Sequence, residues 1–234
     1  GWASLVGDQS APFIATSKTM NWMKNKKIID ISMPIHEHMA TYKGRIEKRP
    51  SHTWDRRMPQ DSINESSLCM NLHTGTHLDA HLHMIADGWT IKDIPLERLI
   101  TPCKLFDLTG IADAITRSDL EGLSIAPGDF VLLKTQNSAG RVYDEDFVYI
   151  RHDAAEYLAE LKVSGVGIDA LGVERDQPGH LTHMALMSAD VLILEGLALR
   201  DVQAGSYYLI ALPLSIPDAE GAPVRAVLLE ICRK

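Results

Sequence analysis

Cysteine is scarce in this chain. Three thiols, Cys69, Cys103 and Cys232, stand among 234 residues. So sparse and odd a set excludes a disulfide-stapled scaffold and suits a reducing compartment, so a cytoplasmic location is expected. Long apolar runs are missing too. No stretch approaches the roughly 20 residues needed to span a bilayer, so no membrane partner is expected. The opening segment, GWASLVGDQSAPFIATSKT, has no basic stretch followed by an apolar one, and so is not a secretory signal. We read residues 1–19 as an appended leader, Met20 as the native start and 20–234 as one domain. Basic charge is thin: 23 Lys and Arg stand against 31 Asp and Glu, for a net charge of -8. That balance excludes the electrostatic footprint of a nucleic-acid binder. The short basic runs Lys24–Lys27 and Arg45–Arg49 read as solvated faces. Also absent are a glycine-rich phosphate loop and a G-x-S-x-G nucleophile elbow.

Histidine is where the chain is rich. The stretch HTGTHLDAHLH, residues 73–83, holds four of the ten histidines, with an aspartate among them. His73, His77, Asp79, His81 and His83 all fall on odd numbers. In a strand such residues would point to one face. A straight strand of that span is roughly 33 Å long, too long for all five groups to meet one ion. Gly75 offers a bend, while Thr74, Gly75 and Thr76 are poor helix formers. A kinked strand or a strand-to-loop junction is therefore expected. Imidazole with carboxylate is the ligand mix of zinc, manganese or iron sites. No cysteine lies at ligand spacing, which argues for a catalytic rather than a structural site. His73, His77 and Asp79 are the candidate ligands. A lone histidine would read as a core or surface residue, but four in eleven with an adjoining aspartate do not.

The rest of the chain reads as alternating strands and helices. Lys27–Ser32 is a short strand, and residues 36–66 are polar and irregular, suited to a functional loop or an arm onto another subunit. Helical turns are expected at Pro95–Ile100 and strands at Cys103–Leu108 and Phe130–Leu133. Asp153–Lys162 has helical spacing, Val166–Ile168 reads as a strand, Leu181–Met187 as a short helix and Val191–Leu194 as a buried strand. Two further strands are expected at Tyr207–Leu212 and Val224–Ile231. This alternation points to an α/β domain with some parallel pairing.

The histidine run resembles H-x-G-T-H-x-D-x-P-x-H, the signature of the bacterial cyclase-like metal hydrolases. That family includes kynurenine formamidases, isatin hydrolases and trans-dienelactone hydrolases. The likeness extends to PGDFVLLKT (127–135), GVGIDALGVE (165–174), His183 with Glu195 twelve residues on, and LIALPL with GAPVRAVLL (209–229). It implies a single α/β domain: a β-rich, barrel-like mixed sheet with flanking helices, of the swivelling β/β/α type, assembled as a homodimer or homotetramer. It implies one or two divalent ions, Zn2+ or Mn2+, with His73, His77 and Asp79 as ligands to the first. His183 and Glu195 would hold a second ion with Asp79 as bridge, and His83 would transfer protons. From their surroundings alone, His183 reads as a helix residue and Glu195 as a strand-end carboxylate. The chain departs from the family in three places. His81 replaces the family proline, ATYKGRIEKRP (40–50) replaces a Trp-Pro-Gly-Asp-like segment that shapes the substrate pocket, and Glu174 replaces an aspartate and reads as structural.

The chemistry expected is metal-assisted attack of water on an amide, cyclic amide or ester carbonyl. An imidazole such as that of His83 carries protons well near neutral pH. The resemblance implies an arylformamidase acting on a C–N bond of a small aromatic substrate, as in tryptophan catabolism. A hydrolase of a cyclic amide such as isatin, or of a lactone, is the alternative. A non-catalytic metal-binding protein is the alternative of another class.

Overall fold

The computed structural model describes residues 27–139, 146–175 and 177–231. The expected leader, the start at Met20, most of the Lys24–Lys27 run and Cys232 lie outside the described residues. In chain order the strands are β1 (Ile28–Asp30), β2 (Ser51–Arg56), β3 (Glu65–Cys69), β4 (His77–Asp79), β5 (Ile100–Asp107), β6 (Ala114–Ile115), β7 (Phe130–Lys134), β8 (Tyr149–Ile150), β9 (Gly165–Ile168), β10 (Leu192–Glu195), β11 (Gly205–Pro213) and β12 (Gly221–Glu230). Three α-helices are interspersed: α1 (Arg117–Glu121), α2 (His152–Glu160) and α3 (Leu181–Ser188).

Parallel pairing links β5, β7, β9 and β10 in that order. Antiparallel pairing carries the sheet from β10 to β4 and from β4 to the start of β12. β12 pairs with β11, and β11 returns to β5. The sheet thus closes into a barrel of seven strands, with β1 added along the far half of β12. The expected barrel-like mixed sheet with flanking helices is what the chain forms.

Alternation along the strands builds two cores. Phe130, Leu132, Leu192, Leu194 and Leu78 fill the barrel interior. Val131, Leu133, Val166, Ile168 and Ile193 face outward beneath Ala154, Leu158, Leu186 and Met187 of α2 and α3. β7 is buried throughout, as a parallel strand covered on both faces must be, and so reads as a continuous apolar run. Gly165 sits opposite Phe130, where an added Cβ would lie 2.3 Å from the phenyl ring. No residue larger than glycine fits there beside a filled barrel.

Two elements carry little sequence signal. Residues 51–69 form the β2–β3 hairpin where an irregular segment is expected, and every strand residue in it is exposed. Without a buried face, no apolar alternation marks it. β6 and β8 form a parallel pair of two residues each, too short for a pattern. No helix among the described residues is long and apolar enough to cross a membrane.

Candidate active site

The histidine run is a turn, a three-residue strand and a second turn. Gly75 has φ +75°, which bends the chain ahead of β4. A 3-10 turn at His81–His83 follows. Only His77 and Asp79 therefore share a strand face, and the expected strand-to-loop junction is what the stretch forms. In β4, Leu78 points into the barrel, so His77 and Asp79 point out, toward α3. Register sets Glu195 directly opposite His77 and Ile193 opposite Asp79. α3 lies over this face and brings His183 down onto both carboxylates. His183 Nε2 is 3.6 Å from Asp79 and 3.5 Å from Glu195.

His73 arrives from the turn before β4. Its Nδ1 lies 2.9 Å from Asp79 Oδ1 and its Nε2 lies 3.3 Å from Glu220 Oε1, so each ring nitrogen faces a carboxylate. Gly221 makes room for it, since a Cβ there would sit 2.7 Å from the His73 ring. His77 donates from Nδ1 to the Gly75 carbonyl at 2.9 Å, which leaves the Nε2 lone pair facing Glu195 at 3.2 Å. The Val173 N–H holds Glu195 in place at 2.6 Å. His83 lies over His73 with ring centroids 4.1 Å apart.

His81 leaves the site. It stacks on Trp89 at 3.9 Å and faces Asp190. A histidine at this position thus packs the outer turn and does not alter the polarity between the other four. Glu174 is closer to the site than expected of a structural residue. Its carboxylate accepts from His180 Nδ1 at 2.7 Å and from the Thr182 N–H at 3.0 Å, and lies 3.1 Å from His183 Nδ1. His180 and Glu220 stand in no motif; their only signal is proximity to His183 and His73 once the strands pair.

The electrostatics are those of a cation site. His77 Nε2 and both oxygens of Asp79 are buried without a hydrogen-bond partner. With Nδ1–H of His77 given to the Gly75 carbonyl, its Nε2 lone pair faces the Glu195 carboxylate. Acceptor set against acceptor in a dry site is costly unless positive charge lies between them. His77, Asp79 and Glu195 offer ligand atoms within 4.8 Å of one another, as do His73, Asp79 and His83. Burial opposes protonation of His77, yet the Glu195 carboxylate and the charge of Asp79 outweigh it and lift the imidazole to about 9. Burial and the charge of Asp79 push Glu195 upward, but His183 and His77 hold it down at about 2. The imidazoles thus take up protons in the position that suits a cation. His83 behaves oppositely: burial pushes its pKa below the ordinary value. The donor set of nitrogen and carboxylate oxygen fits a divalent ion such as zinc or manganese.

A cavity of about 280 Å³ opens over this cluster, walled by Tyr42, Lys48, Met84, Leu171 and His180. Tyr42 and Lys48 come from the arm that departs from the family pattern.

Residues 29–175 match the sequence profile of the family described as Cyclase, "Putative cyclase". The kynurenine formamidase of Bacillus cereus is 33% identical over 212 residues, covering 89% of this chain and all of that protein. A solved structure described as a "Potential Metal-Dependent Hydrolase With Cyclase Activity" superposes with a TM-score of 0.82 at 47% identity, over 89% of this chain and 100% of the other. Isatin hydrolase A from Ralstonia solanacearum shares the fold, with a TM-score of 0.78 at 19% identity over 93% of this chain and 100% of the other. A match of this extent on a fold this similar makes the chain a member of the cyclase family.

Proposed function

We propose that the chain is a metal-dependent hydrolase that cleaves the C–N bond of an N-formyl aromatic amine. The observation that carries this reading is the set of buried, unpartnered acceptor atoms on His77 and Asp79 beneath an open cavity. Similarity to the kynurenine formamidases over most of the chain supports the choice of bond. His73, His77 and Asp79 would hold one Zn2+ or Mn2+ ion, and His183 and Glu195, together with Asp79, would hold a second where one binds. Such an ion, when bound, supplies Lewis-acid polarisation and acidifies water.

The chain's own groups do the rest. The Gly75 carbonyl fixes the tautomer of His77, which keeps its Nε2 lone pair aimed inward. His83, neutral because it is buried, accepts the proton of the attacking water. It returns that proton to the departing nitrogen as the C–N bond breaks. Formate and a primary aromatic amine are the products, and one water is consumed. Tyr42, Met84 and Leu171 offer an apolar wall for the aromatic ring. We further assign the chain to the cytoplasm, on its sparse cysteines, and to a homodimer or homotetramer, on its exposed hairpin.

Hydrolysis of a cyclic amide such as isatin, or of a lactone, uses the same groups and is the second reading, favoured by the departure at residues 40–50. The test is parallel hydrolysis of N-formylkynurenine, isatin and dienelactone by protein loaded with zinc or manganese. Preferential release of formate, abolished by chelation and restored by metal, is the expected result. Turnover of isatin or the lactone alone would move the assignment to the second reading. Stoichiometric metal without turnover of any of the three would leave a metal-binding protein.

A further inference from the structure

The arm at residues 40–50 sets a basic segment beside an acidic site. Lys43, Arg45, Lys48 and Arg49 stand there with one acid, Glu47, in a chain of net charge -8. Lys48 differs from its neighbours in position. Lys43, Arg45 and Arg49 are exposed, whereas Lys48 is half-buried and lines the cavity over the histidine cluster. Its backbone is pinned: the Thr74 hydroxyl, buried and next in sequence to His73, donates to the Lys48 carbonyl at 2.9 Å. Among the described residues its ammonium has no ion-pair partner. The acids that share the cavity are already engaged. Glu195 accepts from Val173, and Glu174 accepts from His180 and Thr182.

Lys48 thus brings to the cavity wall a positive charge that no carboxylate among the described residues pairs with. Placed on the wall of a substrate cavity, it has a use once an anion arrives. Resting on the hydrolase reading above, we infer that Lys48 is a specificity-determining residue that pairs with a carboxylate carried by the substrate. The substrate class is then an anionic N-formyl arylamine, with the ring against Tyr42 and Leu171 and the carboxylate toward the arm. The carboxylate can sit on the ring itself or on a side chain of the ring, and Lys48 recognises the same group in either case. This contact is made before and during reaction alike, so it belongs to binding rather than to the chemical step.

The experiment compares metal-loaded wild type, Lys48→Ala and Lys48→Arg on three formamides: neutral formanilide, N-formylanthranilate and N-formylkynurenine. The last two carry the carboxylate on the ring and on a side chain. Calorimetric binding of anthranilate against aniline is measured on the same samples. In Lys48→Ala the ratio of kcat/KM for anionic over neutral substrate should fall about tenfold, through KM, as for loss of a hydrogen bond to a charged group. Anthranilate should bind more weakly by a similar factor, and Lys48→Arg should restore both. The anionic substrate whose ratio moves identifies where the carboxylate sits. A ratio and an anthranilate affinity that do not respond to Lys48→Ala would overturn the inference. Failure of all three formamides in wild type would remove the hydrolase reading instead, and anthranilate binding would still decide the role of Lys48.

Discussion

His83 and His77 are six residues apart and treat protons in opposite ways. His77 is enclosed by carboxylates that lift its pKa to about 9, whereas burial drives His83 down. The difference follows from position. His77 lies in the strand against Glu195, and His83 lies one turn further on, its ring tilted by 33° over that of His73. In the proposed mechanism, one lends a lone pair to a cation and the other exchanges a proton above it. Replacing His83 with alanine should therefore lower kcat by about 10²- to 10⁴-fold, the usual share of a positioned acid–base group. Metal content should stay near that of the wild type. Steady-state kinetics with elemental analysis of the same preparation checks both. Loss of metal with full activity on reconstitution would contradict the assigned role.

At the scale of elements, the site depends on a strand of three residues held from both sides. β10 supplies Glu195 opposite His77, and β12 supplies Gly221 opposite Asp79. Glycines on this barrel separate structural from functional crowding. Gly165→Ala drives a Cβ into the Phe130 ring inside the barrel. Overpacking of this kind costs about 1–3 kcal/mol, so its effect should be a lower melting temperature. Gly221→Ala drives a Cβ into the His73 ring instead. Its larger effect should be on metal affinity, read by titrating metal into the apoprotein of each variant. Equal metal affinity in the two variants would contradict the placement of His73.

The same elements explain what the sequence could and could not disclose. FVLLK, GVGI and LILE are strands covered on both faces, and their apolar runs announce them. The candidate site motif is readable because three candidate ligands, His73, His77 and Asp79, lie with His83 within eleven residues. His183 and Glu195 became readable only through the resemblance, because a helix and a distant strand bring them to Asp79. Glu174 reads as structural because nothing in GVGIDALGVE places its carboxylate against His180 and His183. The β2–β3 hairpin left no trace because it buries nothing that the described residues supply.

For the whole molecule, the helices cover one side of the barrel and leave the other open. Tyr208 and Leu212 of β11 and Ile28 of β1 are exposed on the bare side. The hairpin adds Trp54 and Leu68 on one of its faces, 48% and 53% exposed. A two-stranded hairpin is marginal in water on its own, so a covering surface is expected. The proposed homodimer or homotetramer supplies one. Trp54→Glu combined with Leu68→Glu should shift the assembly toward monomer in analytical ultracentrifugation. A wild type that sediments as a monomer at micromolar concentration would contradict this reading.

All of the chemistry rests on positive charge entering the space between His77, Asp79 and their neighbours. Elemental analysis of purified, zinc- or manganese-reconstituted protein, beside His77→Ala prepared in parallel, measures that directly. The account predicts one or two ions per wild-type chain and a loss of at least one in the variant. A wild type that retains no stoichiometric metal after reconstitution would contradict it.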